Sequence, residues 1–313
     1  MSPRTVRIGT RSSPMAVAQA EAVARRLRHL HPEDRTELVR VTTTGDRWTG
    51  SLAALGGKGA FTRELDAMQV EGDFEVGVHC LKDVPGDVDL PDGLMIAAYL
   101  DREDARDVVI SLSGRGLDEM TPGSIVGTSS VRRRAQLARH WPALKTAPIR
   151  GNANSRLSKL DGGGQFDALI LARAGLARIG LPYRETALAD PERMIPAIGA
   201  GIIVITTRVT DAATRELVER LDDEPTRQAA TAERALLRAL GGNCHSPIAG
   251  WAVHGDGGLL SLRGAVYSPD GTVFLTAEAA GEPEEAADLG AAVAAELLDA
   301  GAADVIAAAA EGA

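Results

Sequence analysis

Three arginine-containing turns stand where the sequence predicts that a strand gives way to a helix. They span residues 10–13, 128–134 and 150–156. A helix start attracts anions through its free N–H groups and should repel arginine in its first turn. A bound carboxylate or phosphate removes this conflict, because guanidinium and backbone N–H groups then donate to the same anion. The turns therefore favour a ligand with several acidic groups, and the alternative is solvated arginine in a composition poor in lysine.

Lys82 and Asp83 directly follow a predicted buried strand, where α/β proteins place ligand contacts. An aspartate at such a position can act as a general acid or base, or can stabilise a developing cation. The structural alternative is a turn-capping aspartate ahead of Pro85. The neighbouring His79 and Cys80 lack the further ligands of a zinc site, so we expect both to face the core.

Two glycine-rich segments carry single charged or reactive side chains. Residues 56–61 hold Lys58 and Phe61, but the segment lacks the outer Gly and the Ser or Thr that a nucleotide phosphate loop requires. The second segment surrounds Cys244, and its glycines leave room for another group to approach the thiol. The chain has two cysteines in all, which cannot build a disulfide framework.

Alternating strand and helix patterns must position these residues, which is typical of an α/β sheet. Ser13 and Pro14 predict the start of a helix that runs to about Leu30. Further helices are predicted at 61–70, from 130, at 229–240 and at 283–300. Strands are predicted at 6–9, 37–41, 74–78, 124–127, 168–171, 202–206, 259–266 and 272–277.

These patterns predict an α/β fold of three domains with a ligand cleft between the first two. The return strand at 202–206 makes domain 1 discontinuous, so it comprises residues 1–100 and 200–221. Domain 2 comprises residues 101–199. A smaller C-terminal α/β domain comprises residues 222–313 and carries Cys244.

Charge and hydropathy exclude several classes of function. The formal net charge of −9 argues against general binding of nucleic acid or of anionic membranes. The most apolar stretch, residues 195–206, is too short to span a bilayer. The N-terminal residues lack a signal-peptide pattern, so we expect a cytoplasmic protein.

Taken together, these segments resemble the porphobilinogen deaminase (hydroxymethylbilane synthase) family along nearly the whole chain. So many matches in the same order make coincidence untenable. The matching segments are residues 8–13, 44–46, 56–61, 78–85, 102–104, 127–133, 150–152, 156–160 and 174–176, and Cys244 with Pro247 and Ile248.

The resemblance implies a fold, a reaction and a cofactor. The fold has three α/β domains, the first two similar to bacterial periplasmic solute-binding proteins. The reaction is that of a transferase, which joins four porphobilinogen molecules head to tail with release of ammonia and gives hydroxymethylbilane for tetrapyrrole biosynthesis. The implied cofactor is a dipyrromethane primer bound to Cys244 through a thioether. We expect a monomer that binds porphobilinogen, with no nucleic-acid or membrane partner and no metal.

The resemblance also implies roles for individual residues. Asp83 is expected to be catalytic, because its charge would stabilise the cation formed at each step. The residues expected to contact the cofactor are Cys244, Lys82, Ser129, Arg132, Arg133 and Asp83. The residues expected to bind the acidic groups of the substrate, or to stack over it, are Arg11, Ser13, Lys58, Phe61, Arg150, Arg156 and Arg178.

The sequence departs from the family pattern at Ala200, Thr206 and Asn243, where the family usually has glutamine, an acidic residue and a small residue. These departures leave open a specialised or weakly active paralogue. A second alternative is a non-catalytic polycarboxylate-binding protein on the same fold. A cysteine hydrolase is a third, but no base or orienting residue for Cys244 is identifiable.

Overall fold

The structure of the protein is a computed structural model, and it describes residues 4–48, 59–242 and 246–311. The strands of the described residues are β1 (Thr5–Arg11), β2 (Arg35–Val41), β3 (Val76–Cys80), β4 (Leu94–Tyr99), β5 (Asp107–Ser111), β6 (Ile125–Gly127), β7 (Lys145–Ala147), β8 (Ala168–Ala172), β9 (Ala187–Leu188), β10 (Ile203–Arg208), β11 (Ile248–His254), β12 (Leu260–Tyr267) and β13 (Phe274–Gly281). The helices are α1 (Pro14–Leu30), α2 (Thr44–Arg47), α3 (Arg63–Glu71), α4 (Val131–His140), α5 (Ala153–Asp161), α6 (Arg173–Arg178), α7 (Ala212–Glu219), α8 (Glu224–Ala239), α9 (Ala286–Asp299) and α10 (Ala302–Glu311).

The strands form three sheets, which confirms the predicted α/β class. The first has the order β2-β1-β3-β10-β4 and the second the order β7-β6-β8-β5-β9. In each of these sheets four strands run in the same direction and one runs against them, β10 in the first sheet and β5 in the second. The third sheet, β11-β12-β13, is antiparallel and packs against α9.

The chain divides into two compact units. The first contains Met1–Arg102 and Ile202–Arg227, and the second contains Glu103–Gly201 and Gln228–Ala313. The strand predicted at 202–206 is observed as β10, which runs antiparallel to β3 inside the first sheet. The chain therefore leaves the first unit and returns to it, while the three-domain boundaries given above stay a prediction.

The predicted start of α1 is confirmed, whereas α8 begins at Glu224, five residues before the predicted position 229. Ser13 caps α1, its side chain accepting the N–H of Ala16, and Pro14 is the first helical residue, as predicted. The strand predicted at 74–78 is observed two residues later, as β3. Phe74 lies just before β3 and is fully buried. Its ring packs over Gly9, where a Cβ would lie 2.3 Å from it. The apolar character of Phe74 therefore reflects packing in the core and does not mark the start of the strand.

The departure at Thr206 is accommodated by a neutral hydrogen-bond network inside the first unit. Thr206 is fully buried, and its hydroxyl donates to Oε1 of Gln69 at 2.7 Å. The Nε2 of His79 lies 3.4 Å from the same hydroxyl. Burial, and then the charge of Arg11, lower the pKa of His79 to about 4, so this ring is neutral near pH 7. The neutral hydroxyl of Thr206 is therefore compatible with the neutral ring of His79. His79 is buried and faces the core, as expected.

None of the helices in the described ranges is long and apolar enough to cross a membrane.

Candidate active site

The first group of predicted site residues lies at the carboxyl ends of β1 and β3. These strands are parallel neighbours, so Arg11 at the end of β1 and Asp83 in the turn after β3 come together. Nη1 of Arg11 lies 3.6 Å from Oδ2 of Asp83. The side chain of Asp83 is 27% exposed, so one carboxylate is at once paired with a cation and open to solvent.

Arg11 is held by a second acid that the sequence did not single out as a site residue. Its Nε donates to Oδ2 of Asp46 at 3.2 Å, and its Nη2 makes a second contact with the same carboxylate. The hydroxyl of Thr43 donates to Asp46 at 2.8 Å. Burial lowers the pKa of Arg11, but its hydrogen bond to Asp46 and the charges of Asp83 and Asp46 outweigh this effect and raise the pKa. Arg11 is thus charged at every physiological pH.

Phe61 packs on the same arginine. The Arg11 guanidinium carbon lies 4.1 Å from the centroid of the Phe61 ring, which is a cation–π contact. Gly45 makes room for that ring, because a Cβ at this position would lie 2.4 Å from it. The residue types of segment 44–46 are therefore explained by packing and by charge. Gly45 leaves space for the Phe61 ring, and Asp46 orients Arg11.

The remaining predicted residues of the first unit are placed as follows. Lys82 is half-buried and makes no hydrogen bond or ion pair with another described residue. Ser13 caps α1 and is half-buried. Cys80 is half-buried and accepts a hydrogen bond from Nε2 of Gln19 at 3.0 Å, so it does not face the core as fully as predicted. Lys58 lies outside the described residues.

In the second unit, Arg132 and Arg133 converge on one buried carboxylate. Asp107, at the start of β5, accepts from Nη2 of Arg132 at 2.6 Å and from Nε and Nη2 of Arg133 at 3.0 and 2.7 Å. The three side chains are 6%, 11% and 3% exposed, in the order Arg132, Arg133, Asp107. Burial raises the pKa of Asp107, but the two arginines outweigh it and hold this pKa far below its usual value. The sequence signal for Asp107 is an acid opening an otherwise apolar strand.

Arg156 adds positive charge near Arg133 without bringing an acid of its own. Its Nε donates to the carbonyl of Gly151 at 2.8 Å. Burial, and then the charges of Arg133 and Arg150, lower the pKa of Arg156 to about 10. The two neighbouring charged groups are cations, so they make the protonated form of Arg156 less favourable. Among the described residues, Arg132, Arg133 and Arg156 thus outnumber the carboxylate of Asp107, and the arrangement favours an acidic ligand.

Ser129 and Arg178 are placed differently from this arginine group. The Ser129 hydroxyl donates to the carbonyl of Ile149 at 2.7 Å and accepts the N–H of the same residue at 3.1 Å, which joins the ends of two loops. Nε of Arg178 donates to Glu103 at 2.8 Å, and its Nη2 donates to the carbonyl of Gly201 at 2.9 Å. Arg178 therefore ties together the two points at which the chain enters and leaves the second unit. The cofactor and substrate roles of both residues stay predictions.

Comparison with known proteins identifies the family. Residues 6–216 match the family model described as porphobilinogen deaminase, dipyrromethane cofactor binding domain, and residues 227–299 match porphobilinogen deaminase, C-terminal domain. The chain is 49% identical over 305 residues to "Porphobilinogen deaminase 2" of Streptomyces coelicolor, covering 97% of each chain. It is 45% identical over 302 residues to the porphobilinogen deaminase of Chromobacterium violaceum, covering 96% of each. This chain belongs to the porphobilinogen deaminase family of enzymes.

A solved structure of the methionine-binding protein MetQ aligns with 69% of this chain and 89% of its own, at 15% identity and a TM-score of 0.43.

Proposed function

We propose that this chain is a hydroxymethylbilane synthase, a transferase that joins four porphobilinogen molecules head to tail. Each addition forms one carbon–carbon bond, breaks the carbon–nitrogen bond of an aminomethyl group and releases ammonia. The observation that carries the proposal is the surplus of guanidinium groups over carboxylates among the described residues at the starts of α4 and α5, where Arg132, Arg133 and Arg156 stand against Asp107. Each pyrrole of this chemistry carries an acetate and a propionate, and such groups bind arginine forks well.

The residues present fit a dipyrromethane primer. Its acidic side chains would be held by Arg132 and Arg133, and its pyrrole N–H groups need an acceptor, which the half-exposed carboxylate of Asp83 supplies. Lys82 and Ser129 would add further contacts, and Cys244 would hold the primer through a thioether. Cys244 lies outside the described residues. When bound, the primer supplies the carbon to which the first substrate pyrrole is joined.

Asp83 and the arginines would have different roles in each step. Asp83 would stabilise the positive charge that develops on a pyrrole as ammonia leaves, because a fixed carboxylate in a partly dry site needs no reorganisation. Arg11, held by Asp46, would keep the Asp83 carboxylate in place. Arg11, Arg150, Arg156 and Arg178, with Ser13 and Lys58, would bind the acidic groups of the substrate. Phe61 would stack over it.

We also propose that the chain acts as a monomer in the cytoplasm. Two cysteines cannot support a disulfide framework, and the proposed tether needs Cys244 as a free thiolate. The net charge of −9 supports a small-molecule substrate over nucleic acid.

The test of this function is the intact mass of the purified full-length chain. We expect a covalent excess of two pyrrole units, and we expect ammonia and hydroxymethylbilane when porphobilinogen is added. Cys244→Ser should remove the adduct, because it removes the thiol. The matched control is Cys80→Ser, which changes the other cysteine and should keep the adduct. A natural chain that shows only its bare mass after incubation with porphobilinogen would instead favour a polycarboxylate-binding protein.

Arg156→Gln is expected to stall elongation and leave partly grown adducts on a chain that still carries its primer. One lost charge-assisted hydrogen bond costs about 1.5–3 kcal/mol, which corresponds to roughly a 10- to 100-fold lower turnover. Mass spectra taken during turnover measure the adducts. Arg134→Gln is the control, because Arg134 is exposed on the helix that bears Arg132 and Arg133. If the two variants behave alike, the position of Arg156 near Arg133 has no functional meaning.

A further inference from the structure

A short segment of the second unit, residues 195–199, lies between the arginine-bearing helix and the C-terminal sheet, and we call it the strap. On one side α4 holds its backbone. The N–H of Ile195 donates to Oε1 of Gln136 at 2.7 Å, and Nε2 of Gln136 donates back to the carbonyl of Ile195 at 3.2 Å. Nη1 of Arg132 donates to the same carbonyl at 2.5 Å. The strap is thus bonded directly to a predicted cofactor contact.

On the other side the C-terminal elements hold the strap. The N–H of Gly199 donates to Oε2 of Glu233 on α8 at 2.7 Å, and the N–H of Gly250 on β11 donates to the carbonyl of Pro196 at 3.2 Å. Oε1 of Glu233 also accepts the N–H of Ala252 on β11 at 2.9 Å. One buried carboxylate therefore joins the strap, α8 and β11.

Tyr267 on β12 links the two sides. Its hydroxyl donates to Oε1 of Gln136 at 2.7 Å, and its ring stacks on Phe274 with centroids 4.8 Å apart. Burial raises the pKa of Tyr267 well above its usual value, so the hydroxyl remains a donor at physiological pH. Tyr267 and Ile195 belong to one buried cluster, whose members are Ala135, Ile195, Ala249, Ala265 and Tyr267.

The C-terminal sheet packs tightly against α4 and the strap. A Cβ at Gly271, in the turn after β12, would lie 2.6 Å from the backbone nitrogen of Arg139 on α4. A Cβ at Gly250 would lie 3.0 Å from Ile198 of the strap. The C-terminal sheet therefore contacts the arginine-bearing helix and the strap at backbone distance, and close packing of this kind transmits small displacements.

The two elements that hold the strap from the C-terminal side also flank Cys244 in the sequence. Helix α8 ends at Ala239, and β11 begins at Ile248. A Cβ at Gly242 would lie 2.1 Å from the side chain of Ile248, so the chain is pinned on both sides of the residues that include Cys244. The strap is therefore bonded both to Arg132 and to the two elements that flank Cys244 in the sequence.

We propose that the strap fixes Arg132 on α4 relative to α8 and β11, and that Gln136, Tyr267 and Glu233 are positioning residues for loading of the primer. This assignment rests on the proposed function. None of the three needs to touch a pyrrole. They act through the strap on Arg132, the residue that would contact the primer.

The experiment measures how fast adduct-free full-length chain gains the two-pyrrole adduct from porphobilinogen, by intact mass over time. Gln136→Met keeps the length and burial of the side chain but removes both bonds to Ile195, and we expect loading to slow by roughly tenfold. Tyr267→Phe removes a single hydroxyl and should slow loading by a smaller factor. Gln69→Met is the matched control, because Gln69 is another fully buried glutamine bonded to backbone carbonyls, in the first unit. Its loading rate should stay at that of the natural chain.

Two results would overturn the assignment and are distinguishable from failure of the proposed function. Equal loading rates for the natural chain, Gln136→Met and Tyr267→Phe would remove the positioning role while leaving the function intact. Equal slowing by Gln69→Met would show a general loss of stability instead of a local one. A natural chain that never gains an adduct would overturn the proposed function itself, and the positioning role with it.

Discussion

Asp83→Asn is expected to lower turnover by about 100- to 1,000-fold while the covalent primer stays at full occupancy. The amide keeps the size of the side chain and one hydrogen-bond acceptor, but it cannot supply the negative charge that stabilises a cation. Asp83 is well placed for that role, since its carboxylate lies 3.6 Å from Arg11 and remains partly open to solvent. Product formation measures turnover, and intact mass measures the primer.

Asp46→Asn is the matched control for Asp83→Asn. Asp46 is the hydrogen-bonded partner of Arg11, so its loss disturbs Arg11 and leaves the charge of Asp83 in place. We expect this variant to lose less than about tenfold in turnover, because the amide keeps an acceptor for Arg11 and the loss is comparable with one ordinary hydrogen bond of about 0.5–1.5 kcal/mol. If Asp46→Asn is as damaging as Asp83→Asn, then Asp83 matters as a partner of Arg11 and not as a stabiliser of the reacting pyrrole.

Asp107→Ala is expected to lower the free energy of unfolding by about 3–5 kcal/mol, because it leaves the buried guanidinium groups of Arg132 and Arg133 without their carboxylate. Urea unfolding followed by circular dichroism measures the loss. The control is Asp104→Ala, since Asp104 also pairs with two arginines, Arg106 and Arg173, but at a partly exposed position. That variant should lose about 1 kcal/mol or less, because solvent screens the pairs. Equal losses would mean that burial does not govern the pairing energy.

The stability that Asp107 contributes should also depend on pH in a defined direction. Its pKa in the folded chain lies below that of an unfolded aspartate, which is about 3.9. The contribution is therefore complete above that unfolded value and is lost as pH falls through the folded pKa. The difference between the natural chain and Asp107→Ala should stay constant from neutral pH down to about pH 5 and shrink only in stronger acid.

The sequence by itself determined local structure at the start of α1 and the family to which the chain belongs. The Ser13 cap and Pro14 specify the start of α1 through neighbouring atoms, and arginine in the first turn of α4 indicates an anion through the field of that one helix. The family motifs then named the chemistry. None of this requires knowledge of which strands are neighbours, since capping and periodicity act within a few residues.

Only the tertiary structure decided which partner each charged group has. Arg11 meets Asp46, and Arg132 meets Asp107 and the carbonyl of Ile195, across 25 to 63 residues of chain. These pairings follow from strand order and from the way the C-terminal sheet packs on α4, so no local sequence pattern predicts them. Asp107 and Gln136 looked like ordinary polar residues of a strand and a helix because their burial arises from distant segments. A polar side chain acquires its role when folding removes water from it, and that step belongs to packing and not to sequence spacing.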